Sequence, residues 1–272
     1  GAKSRDTAPF GLGVTPMRGP IGRLRNAALT MVAEKGIFAP VTREADALAR
    51  ELTARPMSRF LLDWSTGADA VAQFTVPGFE YPRRDLPASV HFVGPVPPAA
   101  PSVALPEWWG DLDGSRPIVH VTQGTIANTD TTQLLRPTLD ALADEDVLVV
   151  ATMGGRTPDD LGPLPANARV ARYLPYDRLL PLVDTFVTNA GYGGVQQALA
   201  RGIPIVAAGQ TEDKTEVSAR VGWTGVGINL RSNRPDAAAL RTAVRAALDD
   251  PGYAARARAV GDQIAAAPGL AG

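Results

Sequence analysis

The sequence predicts an α/β fold with a mainly parallel sheet covered by helices on both faces. Three observations predict it. From Leu105 onward, strand-like and helix-like segments alternate. The strand-like segments are unbroken apolar runs, as in strands buried on both faces. Gly, Pro or short polar clusters punctuate the junctions between them.

Ile118 to Thr122 is β-branched and apolar and is broken by Gly124. Leu134 to Ala143 places apolar residues at 134, 135, 139 and 142, a helical spacing, with Pro137 near the start or at a kink. Val147 to Ala151 reads as a buried strand ended by Gly154-Gly155, and Val170 to Tyr173 as a short strand ended by Pro175. Asp177 to Leu182 is a short helical turn, Phe186 to Thr188 a strand, Gly194 to Ala200 a helix and Ile203 to Ala208 a strand. Thr215 to Val221 reads as helix and Val226 to Leu230 as strand. Asp236 to Leu248 is an amphipathic helix with Leu240, Val244 and Leu248 on one stripe, and a last helix follows Pro251 to about Ala267.

The first hundred residues read differently. Helical patterns lie at Ile21 to Ala33 and Thr42 to Ala54, and strand-like pieces at Ala70 to Val76 and Ser89 to Val93. Gly94 to Pro106 is proline-rich and reads as a semi-rigid linker. Two or three helices with two short strands supply too little sheet for a domain of their own. The expected division is therefore 1–97 as the end portion of an incomplete first domain, 98–107 as linker, and 108–272 as a second domain.

Composition narrows the function classes. With Lys+Arg 27 against Asp+Glu 28, the net charge of −1 recruits neither nucleic acid nor an anionic membrane. No apolar run reaches the roughly 18 residues that a membrane span needs, and the start of the chain has no signal-peptide core. The absence of cysteine excludes disulfides, thiolate metal sites and a Cys nucleophile, and fits a cytoplasmic protein. Two histidines, His91 and His120, leave little scope for a His-based metal site. Both lie in strand-like runs and read as satisfied core or cleft-lining residues.

The most informative stretch is Phe186 to Lys214. A short strand, a turn with Gly191, Gly193 and Gly194, a helix, a second strand and the polar Glu212-Asp213-Lys214 follow one another. This order sets unpaired helix N-terminal amides at the carboxyl end of a parallel sheet, a place suited to phosphate. A phosphate cradle beside a hydroxyl-binding cluster suggests a nucleotide-sugar. A glycine-rich dinucleotide turn is disfavoured, because Gly191-Tyr192-Gly193-Gly194 has the wrong spacing.

Four blocks carry a family resemblance: HVTQGT at 120–125, RYLPYDRLLP at 172–181, FVTNAGYGGVQQAL at 186–199 and GIPIVAAGQTEDK at 202–214. With LLDWS at 61–65 and TVPGFEYPRRDLP at 75–87, they make the chain resemble bacterial relatives of the UDP-glycosyltransferases, family 1 enzymes of the GT-B fold. The resemblance implies two Rossmann-like domains facing a cleft. The second, nearly whole here, binds the nucleotide-sugar; the first, present as its last portion, binds the acceptor. It implies inverting, hexosyltransferase-type transfer from a UDP- or dTDP-sugar to a small lipophilic acceptor of natural-product type, with no cofactor and no metal.

Residue by residue, the resemblance implies that Tyr173 stacks on the nucleobase while Pro175 holds its turn. Gly124 and Thr125 match a phosphate-binding loop. Asn189 stands where relatives often have a diphosphate-binding histidine, keeping a donor but losing the charge. Gly191, Gly193 and Gly194 bring helix amides to the diphosphate. Gln197 replaces a ribose-binding glutamate. Asp213 matches an acceptor for sugar hydroxyls, whereas Lys214 departs from the pattern and is expected to touch phosphate or Asp213. Arg156 borders the base. The family's catalytic base lies near the start of the first domain, a region expected to be absent, so the catalytic residue is unassigned.

Two other readings stay open at this level. One is a non-catalytic nucleotide-sugar-binding fragment or subunit that needs a missing N-terminal half or a second copy. The other is an epimerase or other GT-B enzyme, which would need further acid or base groups in the cleft.

Overall fold

The computed structural model describes residues 3–57, 60–96, 103–126 and 128–269, so residues 98–102 of the expected linker lie outside the described residues. Two helices open the chain, α1 (Gly19–Val32) and α2 (Ala39–Thr53). Proline at each N-terminus suits the first turn, where an amide has no helical partner. Helix α1 turns Gly22, Asn26 and Thr30 inward and leaves Ile21, Leu24 and Met31 exposed, the reverse of the usual amphipathic arrangement. A two-stranded parallel sheet follows, β1 (Val71–Gln73) and β2 (Val90–Phe92).

His91 corrects one sequence expectation. It pairs with Ala72 across that sheet, and both side chains are exposed. The strand pattern placed His91 in a core or lining a cleft, but among the described residues no layer covers this face.

The second part of the chain forms one six-stranded parallel sheet. Its strands are β3 (Ile118–Thr122), β4 (Leu148–Thr152), β5 (Ala168–Ala171), β6 (Thr185–Thr188), β7 (Ile205–Ala207) and β8 (Gly227–Asn229). The spatial order is β5-β4-β3-β6-β7-β8. The chain winds outward from β3 in one direction, then returns to β6 on β3's other side and winds the opposite way. Strands β3 and β6 therefore flank the point where the order reverses, the doubly wound arrangement whose crevice takes ligands. Strand β5 begins two residues before the expected segment, leaving Tyr173 beyond its end.

The connecting helices are α3 (Leu135–Ala141), α4 (Tyr176–Leu179), α5 (Tyr192–Leu199), α6 (Lys214–Thr224), α7 (Ala237–Asp249) and α8 (Pro251–Ala266). Pro137 sits in the first turn of α3, where its missing amide costs nothing. Asp236 and Asp250 cap α7 and α8 by accepting from Ala239 N at 2.7 Å and Gly252 N at 2.8 Å.

Successive strand residues point to opposite faces, so each strand serves two cores. On one face Ile118, Val150, Phe186 and Ile205 pack with Val195 and Leu199 of α5, Val217 of α6 and Val260 of α8. On the other, Val119, Val149, Val187 and Val206 pack with Leu135 and Leu139 of α3 and Leu240 and Val244 of α7. Each fully buried side chain of this size stabilises the fold by roughly 1.5–3 kcal/mol.

The first part of the chain docks on the first of these faces. Val76 and Phe79 are fully buried in its core, and Gly78 N donates to Gln263 Oε1 of α8 at 2.8 Å. Arg220 of α6 pairs with Glu80 Oε2 at 2.8 Å and with Glu216 Oε2 at 3.0 Å. Glu216 Oε1 accepts from Gly11 N and Gly13 N, at 3.0 and 2.9 Å. Tyr81 lies under the Arg220 guanidinium, 4.5 Å from ring centroid to Cζ.

Candidate functional site

Parallel strands send all their carboxyl ends to one rim, and the residues singled out in the sequence lie there. Gly124 and Thr125 follow β3, Arg156 follows β4, and Tyr173 and Pro175 follow β5. Asn189, Gly191, Gly193, Gly194 and Gln197 follow β6, and Asp213 and Lys214 follow β7.

At the switch point the loops after β3 and β6 are tied together. Asn189 Nδ2 donates to Gln123 O at 2.6 Å. Its Oδ1 lies 3.9 Å from where a Cβ would stand on either Gly124 or Gly191, so Asn189 lies between the two turns. Gly124 has φ +73°, and a side chain there would be strained.

Gln123 emerges as a supporting residue that sequence reading missed. Its Oε1 accepts from Leu134 N and Leu135 N at the start of α3, at 3.2 and 3.0 Å, and its Nε2 donates to Asp130 O at 2.9 Å. Asn128 is another, donating Nδ2 to the carbonyls of Gly124, Met153 and Gly154 at 3.0–3.1 Å. A polar amide just past an apolar strand was the available signal for Gln123.

Beyond Asn189, the turn enters α5 through Ala190, whose φ of +64° is unusual for a residue with a side chain, and Gly191. The first in-helix bond runs from Val195 N to Gly191 O at 3.1 Å. The amides of Tyr192, Gly193 and Gly194 therefore precede the helical ladder, and no side chain caps them. A Cβ on Gly193 would meet nothing within 4 Å, whereas one on Gly194 would lie 3.6 Å from the Phe186 ring, so the helix start is open on the Gly193 side. Gln197, one turn on, donates Nε2 to Gly193 O at 3.3 Å.

On the other side of the switch point, Tyr173 is 46% exposed and stands over Gly155, where a Cβ would come within 2.5 Å of the phenol oxygen. Gly155, at φ +102°, thus has both a conformational and a steric reason to be glycine. Arg156 pairs with Asp160 at 2.7 Å. Thr125 and Asp213 are exposed.

Lys214, the first residue of α6, is buried, and its ammonium pairs with Glu212 rather than with Asp213. Glu212 holds φ +54°, and both Glu212 and Asp213 are exposed. Gln123, Asn189, Ala208, Thr211, Lys214 and Asn233 line a cleft at this rim.

His120 lies below the rim and is buried, as its strand position implied. Nδ1 donates to Val150 O at 2.8 Å and Nε2 accepts from the Tyr176 hydroxyl at 3.0 Å. Burial pushes its pKa down to about 4. The neutral imidazole is a structural crosslink between β3, β4 and α4. Among the described residues, no group of three or more His, Asp or Glu side chains is placed to hold a metal ion.

The arrangement can hold an anion against α5 and a flat aromatic group on Tyr173, with amide, hydroxyl and one ammonium group lining the cleft nearby. The family described as Erythromycin biosynthesis protein CIII-like, C-terminal domain, matches residues 136–271, half of the chain. The chain belongs to this family, the family 1-like nucleotide-sugar glycosyltransferases. The chain is 49% identical to 4'-demethylrebeccamycin synthase of Lentzea aerocolonigenes over 97% of its own length and 62% of that protein's. It is 38% identical to UDP-glycosyltransferase 2 of Phaeomoniella chlamydospora, over 93% of its own length and 58% of that protein's. It thus spans about three fifths of these curated relatives. Its fold is that of the solved calicheamicin glycosyltransferase CalG4, with TM-score 0.69 and 24% identity over 83% of this chain and 55% of that one. The GT-B glycosyltransferase fold expected from the sequence is therefore the fold of this family member. No helix among the described residues is long and apolar enough to cross a membrane.

Proposed function

We propose that this chain binds a UDP- or dTDP-sugar across the β3/β6 switch point and serves in inverting transfer of the sugar to a small lipophilic acceptor. The observation that carries the reading is the start of α5. Three amides precede the helical ladder there, a Cβ on Gly193 would meet nothing within 4 Å, and Asn189 and Gly124 lie at the same switch point. The relatives' names, a UDP-glycosyltransferase and a 4'-demethylrebeccamycin synthase, support a nucleotide-sugar donor and a natural-product acceptor. In this reading residues 108–272 form the donor domain, residues 1–97 the end portion of an acceptor domain, and the protein works in the cytoplasm without a metal.

The nucleobase lies on Tyr173, beside Arg156, with Pro175 fixing the turn beneath it. Gln197 faces the ribose. The diphosphate meets the amides of Gly193 and Gly194 and the turns of Gly124-Thr125 and Asn189-Gly191, and Asp213 accepts from sugar hydroxyls. In the transfer step, the acceptor oxygen bonds to the anomeric carbon from the face opposite the diphosphate. The bond to the diphosphate oxygen breaks with its electron pair going to that oxygen, and the acceptor proton passes to a base. The chain's own part is to stabilise the departing charge with oriented amides. Neither histidine suits the base: His120 is engaged on both nitrogens, and His91 lies on the exposed face of the small sheet.

Titration calorimetry with UDP and dTDP tests the reading. Dissociation constants below the millimolar range for one of them are expected, and no binding of either overturns it. The placement of the two histidines favours a second reading, a donor-binding unit that needs another half for transfer. Binding without transfer by this chain, with transfer restored by an acceptor half supplied as a separate chain, distinguishes the two.

A further inference from the structure

Lys214 is the one charged residue among those described as lining the cleft; its neighbours there are amides, a hydroxyl and apolar groups. Its side chain is only 8% exposed, whereas that of its partner Glu212 is 64% exposed. The lysine side chain is packed at the cleft wall while its counter-charge is largely exposed. Gly209 fixes where the lysine stem lies. A Cβ on Gly209 would come within 2.9 Å of Lys214 Cβ on one side and within 2.1 Å of Asn189 O on the other. The stem therefore runs alongside the backbone of Asn189, and Asn189 sits between the Gly124 and Gly191 turns. Glu212 holds a left-handed φ, a conformation that costs about 1 kcal/mol for a residue with a side chain and persists where the surroundings enforce it.

We infer that Lys214 supplies the positive charge for the donor's diphosphate, with Glu212 a positioning residue that holds the ammonium until the donor arrives. The inference rests on the donor-site reading above. Asn189 offers the diphosphate no charge, and helix amides carry only partial charges. The ammonium of Lys214, which lines the same cleft as Asn189, completes the neutralisation. As the bond to the anomeric carbon breaks and its electron pair moves onto the diphosphate oxygen, a fixed cation strengthens its hold on that oxygen. Glu212 competes with the diphosphate for the same ammonium, so the pair opens when the donor binds.

Calorimetry of this chain with UDP and with uridine separates charge from base recognition. Lys214→Met is expected to weaken UDP about tenfold, the size of a lost charge-assisted bond. It leaves uridine unchanged and flattens the salt dependence of UDP binding, and Lys214→Arg restores most of the loss. Glu212→Gln is expected to tighten UDP several-fold; it keeps the shape of the loop and serves where the lysine variants fail to fold. Equal weakening of UDP and uridine in Lys214→Met overturns the inference. So does unchanged UDP affinity accompanied by lost discrimination between UDP and UDP-glucose, which assigns Lys214 to the sugar. Unchanged or weaker UDP binding in Glu212→Gln also overturns it. Failure of the unaltered chain to bind UDP or dTDP removes the donor-site reading itself, and this inference with it.

Discussion

The Tyr192 hydroxyl donates to Glu80 Oε1 at 2.9 Å, joining the first residue of α5 to the segment that precedes the small sheet's second strand. Burial and the nearby Glu80 carboxylate push the Tyr192 hydroxyl well above the usual phenol range, so it is a fixed donor. The other Glu80 oxygen holds Arg220, whose side chain is 17% exposed. Removing the carboxylate leaves Glu216 as that guanidinium's remaining counter-charge and takes the Tyr192 acceptor away. Glu80→Ala is expected to lower unfolding free energy by about 2 kcal/mol, less than the roughly 3–5 kcal/mol of a buried charge left wholly unpaired. Urea denaturation measures this, and a loss under about 0.5 kcal/mol would mean that the network is slack.

Tyr173 presents the opposite case. Half exposed, it contributes little to the core, so Tyr173→Ala is expected to change stability by less than about 0.5 kcal/mol. The same change should weaken UDP by about 1–3 kcal/mol, the worth of a stacked base. Uridine binding should weaken equally, since the loss lies with the base. Unaltered nucleoside affinity would remove Tyr173 from the site.

Gly193 separates folding from binding. A methyl there meets no atom within 4 Å, and alanine is the better helix former. Gly193→Ala is therefore expected to raise stability by about 0.5 kcal/mol while weakening UDP several-fold, because it fills space beside the helix amides. Thermal melts and calorimetry on one preparation test both halves. A variant more stable and equally tight would show that the diphosphate lies elsewhere.

The buried His120 sets a pH dependence. Its folded pKa, about 4, lies below the unfolded value of about 6.5, so between these values the unfolded chain binds more protons. The stability it contributes is complete above pH 6.5 and is lost as pH falls through this window, by about 3 kcal/mol in all. His120→Gln, which can still donate to Val150 and accept from Tyr176, should flatten that part of the curve. An unchanged slope between pH 6.5 and 4 would show that His120 takes up its proton without resistance.

Much of this was legible in the residues themselves. Val147 to Ala151 could be read as a buried strand because both its faces are covered, and the turn into α5 because glycines cluster where a strand must meet a helix. Residues at the edges were harder. Strand β5 borders the sheet, its Arg169 and Val170 are half-buried, and the apolar run marking it is weak, which displaced its expected bounds toward Tyr173. His91 misled because a β-branched run signals a strand without saying what covers it. The Lys214–Glu212 pairing comes with a left-handed φ at Glu212 that no local pattern announces. Least legible were the contacts of Gly11 and Gly13 with Glu216, about two hundred residues away in the chain, which only tertiary structure brings together.

The doubly wound order also dictates when the crevice comes into being. Its two walls, the loops of Gln123 and Asn189, lie 66 residues apart in the chain, and β4 and β5 must be laid down between them. Loop closure over such a distance is slow compared with forming α5 or a neighbouring turn. A refolding chain thus closes its local turns before its crevice. Ligand binding followed in real time would report the joining of β3 to β6, and with it the closing stage of folding.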